Sequence, residues 1–213
     1  MAAKLTNKVD GLDVFYPIVP DVDWLGRLVP LGVKTVQLRL KEAAPERVRR
    51  EIGQSLEICA RHGCQLIVND YWREALQLGA DFIHLGQEDL AAADLEAIRG
   101  KSARLGISTH SDEELAIALA ARPTYVALGP IFETKLKVMK WAPQGLQRVT
   151  RWKERIGSMP LVAIGGITPE RADKVWAAGA DSVAVITDFF SHPDPTARVR
   201  EWLALARQAS QRR

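Results

Sequence analysis

The chain has 213 residues, and its 29 Lys and Arg against 26 Asp and Glu leave a formal net charge of only +3. That length suits one substantial core or one α/β barrel, and so small a basic excess, spread over helical stretches, gives no electrostatic reason to expect nucleic acid as a partner. Cys59 and Cys64 are too few for a disulfide framework and have no second pair to complete a zinc site; residues 1–11 lack the apolar stretch of a signal peptide, no apolar run is long enough to span a bilayer, and a soluble, cytoplasmic protein without a membrane partner is therefore expected.

In chain order, residues 14–19 read as a first strand, although Pro17 cannot donate to a sheet ladder. Residues 21–31 read as a short amphipathic helix with Trp24, Leu25 and Leu28 on one face. Residues 35–41 alternate polar and apolar, which predicts a strand with Gln37, Arg39 and Lys41 on one side of the pleat. A helix is expected over 45–62, with Pro45 in its first turn and Gly63 near its end. The predicted series continues with a strand over 66–68, a helix over 72–78, a strand over 82–85, a helix over 92–98 and a strand over 104–108. Ser111 and Glu114 have the spacing of a capping box for a helix reaching residue 121.

A strand over 125–129 runs into the longest break in the pattern, residues 130–143, and a helix is expected over 144–156. Residues 160–166 form a strand closing in Gly165 and Gly166, and Thr168 and Pro169 open the next helix as N-cap and first residue. A last strand over 182–186 and a helix over 195–208 complete the series. The triplet Gly79-Ala80-Asp81 returns as Gly179-Ala180-Asp181, each placing a glycine between a helix and a strand. Eight buried strands alternating with helices predict a single domain over 1–213, a closed (β/α)8 TIM barrel; an open doubly wound sheet is the structural alternative.

In such a barrel the chemistry lies at the C-terminal ends of the strands. Polar residues fall there on seven of them: Gln37, Arg39 and Lys41; Asn69 and Asp70; Asp89; Ser108; Thr134 and Lys137; Gly165 and Gly166; Thr187. Asp70 and Asp89 each follow an apolar strand, and neighbouring parallel strands end about 5 Å apart. Two carboxylates that close repel unless a cation lies between them, and Mg²⁺ takes one or two carboxylates plus phosphate oxygens. Each Asp alone also fits a helix N-cap. His84 and His110 have no evident partner and are read as structural, and the tryptophans at 24, 72, 152, 176 and 202 as packing; Trp141, in the long loop, stands apart.

Gly165-Gly166 precedes a helix, and the loops after strands seven and eight are the usual phosphate site of this architecture. On the other side, Arg39, Lys41, Lys137 and a divalent ion would outweigh Asp70 and Asp89 by about the charge of a diphosphate near neutral pH. Two anionic subsites are therefore expected, a metal-bound diphosphate and a monophosphate across the mouth.

The stretches Gln37-Leu38-Arg39-Leu40-Lys41, Val68-Asn69-Asp70, His84-Leu85-Gly86-Gln87-Glu88-Asp89-Leu90, Gly106-Ile107-Ser108-Thr109-His110, Ala127-Leu128-Gly129-Pro130-Ile131-Phe132 and Ala163-Ile164-Gly165-Gly166-Ile167 together resemble the thiamine phosphate synthase family. The resemblance implies a transferase that joins a hydroxymethylpyrimidine diphosphate to a hydroxyethylthiazole phosphate, giving thiamine phosphate and diphosphate. It implies that Asp70 and Asp89 bind one Mg²⁺ per subunit. It implies that Gln37, Arg39, Lys41, Asn69, Ser108 and Lys137 hold the pyrimidine diphosphate, with Arg39, Lys41 and Lys137 catalytic, and that Thr134, Gly166, Ile186 and Thr187 hold the thiazole phosphate. The partners are then small molecules, with a homo-oligomer open. Where the family often reads Phe-Pro-Thr-x-Thr-Lys, this chain has Glu133 and Leu136 in place of the proline and the second threonine; Thr187 replaces the usual serine. The alternative is a TenI-like thiazole tautomerase or regulatory paralogue, against which the set Arg39, Lys41, Asn69, Asp70, Asp89 and Lys137 argues. A phosphosugar isomerase barrel, which needs an evident acid and base pair, ranks third.

Overall fold

A computed structural model describes residues 12–134 and 141–212. Eight parallel strands close on themselves in chain order: β1 (Phe15–Val19), β2 (Thr35–Leu38), β3 (Gln65–Asn69), β4 (Phe82–Leu85), β5 (Arg104–Thr109), β6 (Tyr125–Leu128), β7 (Leu161–Ile164) and β8 (Ser182–Val185). β8 returns to β1, with Phe15 opposite Val183 and Pro17 opposite Val185. Pro17 thus sits inside a paired strand without removing the register. The closed barrel, rather than the open sheet, is the architecture.

The helices α1 (Val22–Leu28), α2 (Pro45–His62), α3 (Trp72–Gln77), α4 (Gln87–Ala92), α5 (Leu95–Gly100), α6 (Asp112–Ala120), α7 (Gly145–Ile156), α8 (Pro169–Ala177), α9 (Thr187–Phe190) and α10 (Pro195–Gln211) surround it. Strand side chains alternate between two cores. Val36, Leu38, Leu66, Val68, Ile83, Leu85, Ile107, Val126 and Leu128 face outward and join the helices in one buried cluster. Tyr16, Ile18, Ile67, Phe82, Tyr125, Ala127, Val162 and Ala184 face inward and fill the barrel. This period of two is the pleat of each strand. On the outside, the ring of Trp202 in α10 stacks on Phe15 of β1 at 4.9 Å, so the last helix seals the first strand.

Local signals account for much of the boundary detail. Asp21 accepts from Trp24 N–H at 2.9 Å and caps α1. The helix expected over 21–31 ends at Leu28 and finishes as a 3₁₀ turn over Val29–Leu31, because Pro30 interrupts the ladder. α2 runs over the expected residues and ends at Gly63 in the left-handed region. The two Gly-Ala-Asp triplets do the same structural work: Asp81 pairs with Arg104 and Asp181 with Lys153.

Four expectations are corrected. β2 ends at Leu38, so Arg39 and Lys41 lie in the following loop and share no pleat face with Gln37. The helix expected over 92–98 is two helices, α4 and α5, interrupted after Ala92. Asp89 therefore lies in the first turn of α4, not in a loop. Ser111 caps α6 by accepting from Glu114 N–H, but the Glu114 carboxylate returns to His110 N–H at 2.7 Å rather than to Ser111, one residue beyond a true capping box.

The inward face leaves no spare volume at Gly106. A Cβ there would lie 2.1 Å from Tyr125 Cζ. Gly53, inside α2, has open space in the same direction. Gly106→Ala is expected to lower stability by about 1–3 kcal/mol through overpacking, whereas Gly53→Ala is expected to raise it by about 0.5–1 kcal/mol through helix propensity. Thermal denaturation of the two variants side by side measures both signs.

Candidate active site

The C-terminal rim of the barrel carries a contiguous polar layer. Gln37 of β2 and Asn69 of β3 both point inward and are buried; Gln37 Nε2 donates to Asn69 Oδ1 at 2.9 Å. Asn69 then spends its amide N–H on the carboxylate of Asp70. This amide chain fixes the Asn69 orientation, since its oxygen accepts from one side and its nitrogen donates to the other. Asp70 N–H donates to His84 O at 2.9 Å, which extends the β3–β4 pairing by one residue. Asp70 itself has φ 66, a conformation a non-glycine residue adopts at a cost. It aims its carboxylate back toward the barrel mouth.

Asp89 meets Asp70 there. Asp89 follows β4 by way of α4, and the two carboxyl groups are close enough to share a proton. Burial first, then the Asp89 charge, pushes the Asp70 carboxyl up to about 6, while the guanidinium of Arg39 pulls it down. Neither acid is a helix N-cap: the cap of α3 is Tyr71 and that of α4 is Gly86. Among the described residues, no group of three or more His, Cys, Asp and Glu gathers as a metal cage. Two carboxylates brought together at the mouth carry oxygen donors of the kind a hard divalent ion takes.

His84 and Tyr125 belong to this site and were missed by sequence reasoning. His84 is buried, 2.7 Å from the Tyr125 hydroxyl through Nδ1 and 2.8 Å from Ser108 Oγ through Nε2. Burial, with Arg39 adding to it, pushes the His84 imidazole down to about 4, so it is neutral near pH 7. Phe82 and His84 are two apart on β4 and share the inward face, which is the signal that would have found it. Gln87 was missed too; its Nε2 donates to Ser108 O at 2.7 Å and ties the start of α4 to β5. His110, also read as partnerless, bonds Glu114 through Nδ1 at 2.8 Å and stacks on Trp141 at 5.8 Å.

Arg39 leaves β2 with its N–H on Val19 O at 2.8 Å and projects a solvent-exposed side chain above Asp70 and His84. Lys41 is exposed on the same loop, and its carbonyl accepts from the Tyr71 hydroxyl at 3.3 Å. Lys137 and Leu136 lie outside the described residues. Hydrogen bonds join Gln37, Asn69 and Asp70, the carboxyl of Asp89 and the charge of Arg39 act on Asp70, and Ser108 joins through His84; Lys41 is placed by its position on the same loop as Arg39.

Across the mouth, the chain after β6 runs alongside the end of β7, with Ile131 N–H on Ile164 O at 2.9 Å and Phe132 N–H on Gly165 O at 3.0 Å. That close approach demands glycine at Gly166, which has φ 66 and where a Cβ would lie 2.4 Å from Glu133 O. Arg171 of α8 caps the arrangement by donating to Gly166 O at 2.8 Å while lying over the Phe132 ring. Thr134 ends this described stretch, half-buried. Ile186 precedes α9 and Thr187 is its first residue, not the end of β8 as expected. α9 is anchored behind them: Asp188 takes two bonds from Arg198, at 2.8 and 2.9 Å, and a third from Trp202 Nε1 at 2.8 Å.

A family model described as thiamine monophosphate synthase matches residues 15–189 of this chain. The chain belongs to that family. Thiamine-phosphate synthase of Rhizobium etli is 61% identical over 193 residues, covering 91% of this chain and 95% of the relative. Thiamine-phosphate synthase of Enterobacter sp. is 47% identical over 191 residues, 90% of each chain. The solved thiamine phosphate pyrophosphorylase from Pyrococcus furiosus, 24% identical, shares the fold with a TM-score of 0.80 over 95% of this chain and 99% of that one. As a member of the thiamine monophosphate synthase family, the chain is an enzyme, a transferase. Among the described residues, no helix is long and apolar enough to cross a membrane.

The raised Asp70 pKa has a stability consequence. The native state keeps a proton that the unfolded chain, with its carboxyl near 3.9, has already lost. The Asp70 contribution to stability is therefore intact below about pH 4 and falls as pH rises through about 6. In metal-free protein, Asp70→Asn is expected to raise the melting temperature by about 2–4 °C at about pH 8 and to change it little at about pH 4. Scanning calorimetry across that range checks the sign.

Proposed function

We propose that this chain is a thiamine-phosphate synthase, joining 4-amino-2-methyl-5-hydroxymethylpyrimidine diphosphate to hydroxyethylthiazole phosphate and releasing diphosphate. The observation that carries the proposal is the meeting of Asp70 and Asp89 beneath Arg39 at one edge of the mouth, in a chain whose relatives bear that name. Such a pair has surplus negative charge to give to a cation, and the cation in turn to a diphosphate.

Asp70 and Asp89 would hold Mg²⁺, which fits their oxygen-only chemistry. When bound, the ion supplies electrostatic stabilisation of the diphosphate as a leaving group. The remaining work belongs to the chain. Arg39, with Lys41 and Lys137, binds the diphosphate oxygens and meets the charge that grows on them as the methylene C–O bond breaks and its electron pair departs. The amino-substituted pyrimidine delocalises the positive charge left on the methylene carbon. Asn69, held by Gln37, and Ser108, held by His84, orient the pyrimidine diphosphate from below. Opposite, Thr134, the Gly166 backbone, Ile186 and Thr187 grip the thiazole phosphate. The thiazole nitrogen then forms the new C–N bond with its own lone pair. No proton moves in that step, so the site needs no general base. Holding both substrates in contact removes the entropy of their encounter.

The tautomerase-like alternative predicts no diphosphate chemistry, which makes the two readings separable. Mixing both substrates with Mg²⁺ is expected to release one diphosphate per thiamine phosphate formed, and chelation is expected to stop it. Asp70→Ala, Asp89→Ala and Arg39→Ala are each expected to lower kcat/KM by about 10²-fold or more, with circular dichroism unchanged. Near-normal turnover in all three variants would remove the metal-diphosphate assignment.

A further inference from the structure

Below the polar layer, four groups run in series through the barrel interior. The Tyr16 hydroxyl lies within reach of the Tyr125 hydroxyl. The Tyr125 hydroxyl lies 2.7 Å from His84 Nδ1, and His84 Nε2 lies 2.8 Å from Ser108 Oγ. Tyr16, Tyr125 and His84 are 1%, 0% and 5% exposed, and only Ser108 reaches the mouth. Apolar side chains pack against the two tyrosines. Phe82 packs edge-on against Tyr125 at 5.6 Å, and Ile67, Val162 and Ala184 belong to the same cluster. Gly106 yields its side-chain space to the Tyr125 ring, which is thereby held in place.

Proton counting gives this series a direction. Three hydroxyl groups and one neutral imidazole carry one proton each, four in all, while three links join them. Each link uses one proton, so one must point out of the series. If the series runs inward, or if Tyr125 accepts on both sides, that proton is stranded on Tyr16 or on Tyr125 in the buried interior, where a donor without an acceptor forfeits a whole hydrogen bond. If it runs outward, the surplus proton emerges on Ser108, where solvent or a ligand accepts it. The asymmetry comes from burial alone.

We propose that the series has a fixed sense, from Tyr16 through Tyr125 and His84 to Ser108, and that it makes the Ser108 hydroxyl a dedicated donor toward the ligand in the barrel mouth. His84 then carries its proton on Nε2 and accepts from Tyr125 on Nδ1. The site selects a ligand group that accepts a hydrogen bond at Ser108, a phosphate oxygen or an unprotonated ring nitrogen, and penalises an N–H in the same place. Resting on the function proposed above, that group belongs to the pyrimidine diphosphate. Tyr16, Tyr125 and His84 are positioning residues that act through Ser108.

Two measurements on the full chain decide the matter. The first is the ¹⁵N spectrum of the histidine rings without substrates, with His84→Gln identifying the His84 signals among the four histidines. The Nε2–H tautomer is expected; the Nδ1–H tautomer overturns the proposal whatever reaction the protein performs. An Nε2–H tautomer in a protein that makes no thiamine phosphate supports the series and defeats the reaction assignment instead. The second is a double-mutant cycle. Tyr16→Phe and Tyr125→Phe are each expected to lower kcat/KM for the pyrimidine diphosphate about tenfold, to leave the KM for the thiazole phosphate unmoved, and to add nothing in the Ser108→Ala background. A loss of equal size in that background, or a parallel rise in both KM values, shows a packing role and overturns the assignment. The tautomer measurement needs no folded tyrosine variant.

Discussion

Closure of eight short strands into a barrel is the constraint on which everything else rests. With four to six residues per strand, each strand has about two side chains to offer the interior. The deeper positions are taken by Tyr16, Phe82 and Tyr125, which plug the barrel. The positions above them fall to Gln37, Asn69, His84 and Ser108. Because the strands are parallel and in register, those four arrive at one end together and bond in two pairs, Gln37 with Asn69 and His84 with Ser108. The outward positions are apolar apart from Thr109, whose hydroxyl donates to Ala127 O, so the polar residues gather on the inward face.

The charged residues of the rim are a different matter, because none of them sits on a strand. Asp70 follows β3 in a left-handed conformation, Asp89 rides on the first turn of α4, and Arg39 leaves β2. Their placement depends on loop geometry held by the strand ends. The Asp70–Asp89 contact costs stability when both are ionised, and Arg39 offsets part of that cost. Repulsion held between two acids lowers stability, a common bargain at functional sites.

Much of this was legible in the sequence. Apolar runs punctuated by glycine and proline revealed eight strands and the barrel, and α2 and β4 have the expected bounds. Asp70 and Asp89 emerged because a carboxylate closing a buried strand is conspicuous. What could not be read was anything that depends on where a strand stops. The polar alternation in residues 35–41 looked like a pleat, but β2 ends at Leu38 because its pairing with β1 and β3 goes no further. His84 was set aside because its partners, Tyr125 and Ser108, are 41 and 24 residues away. The register of β4, β5 and β6, with His84 opposite Gly106 and Gly106 opposite Tyr125, brings them together. Its parity with Phe82 was visible; the identity of its neighbours was not.

The anchoring of α9 carries a lesson about assembly. Asp188 sits directly behind Thr187 at the rim, and its three bonds come from Arg198 and Trp202 of α10. The same tryptophan lies flat against Phe15. One indole thus touches the beginning of the barrel with its face and the short helix after β8 with its nitrogen. A growing polypeptide cannot finish the rim piece by piece from the amino terminus, because the last staple is made by residues synthesised after every strand. Shortened chains that stop ahead of Arg198 would leave an acid in the eighth loop with nothing to hold it, and the mouth would be open at the seam where the first and final strands meet.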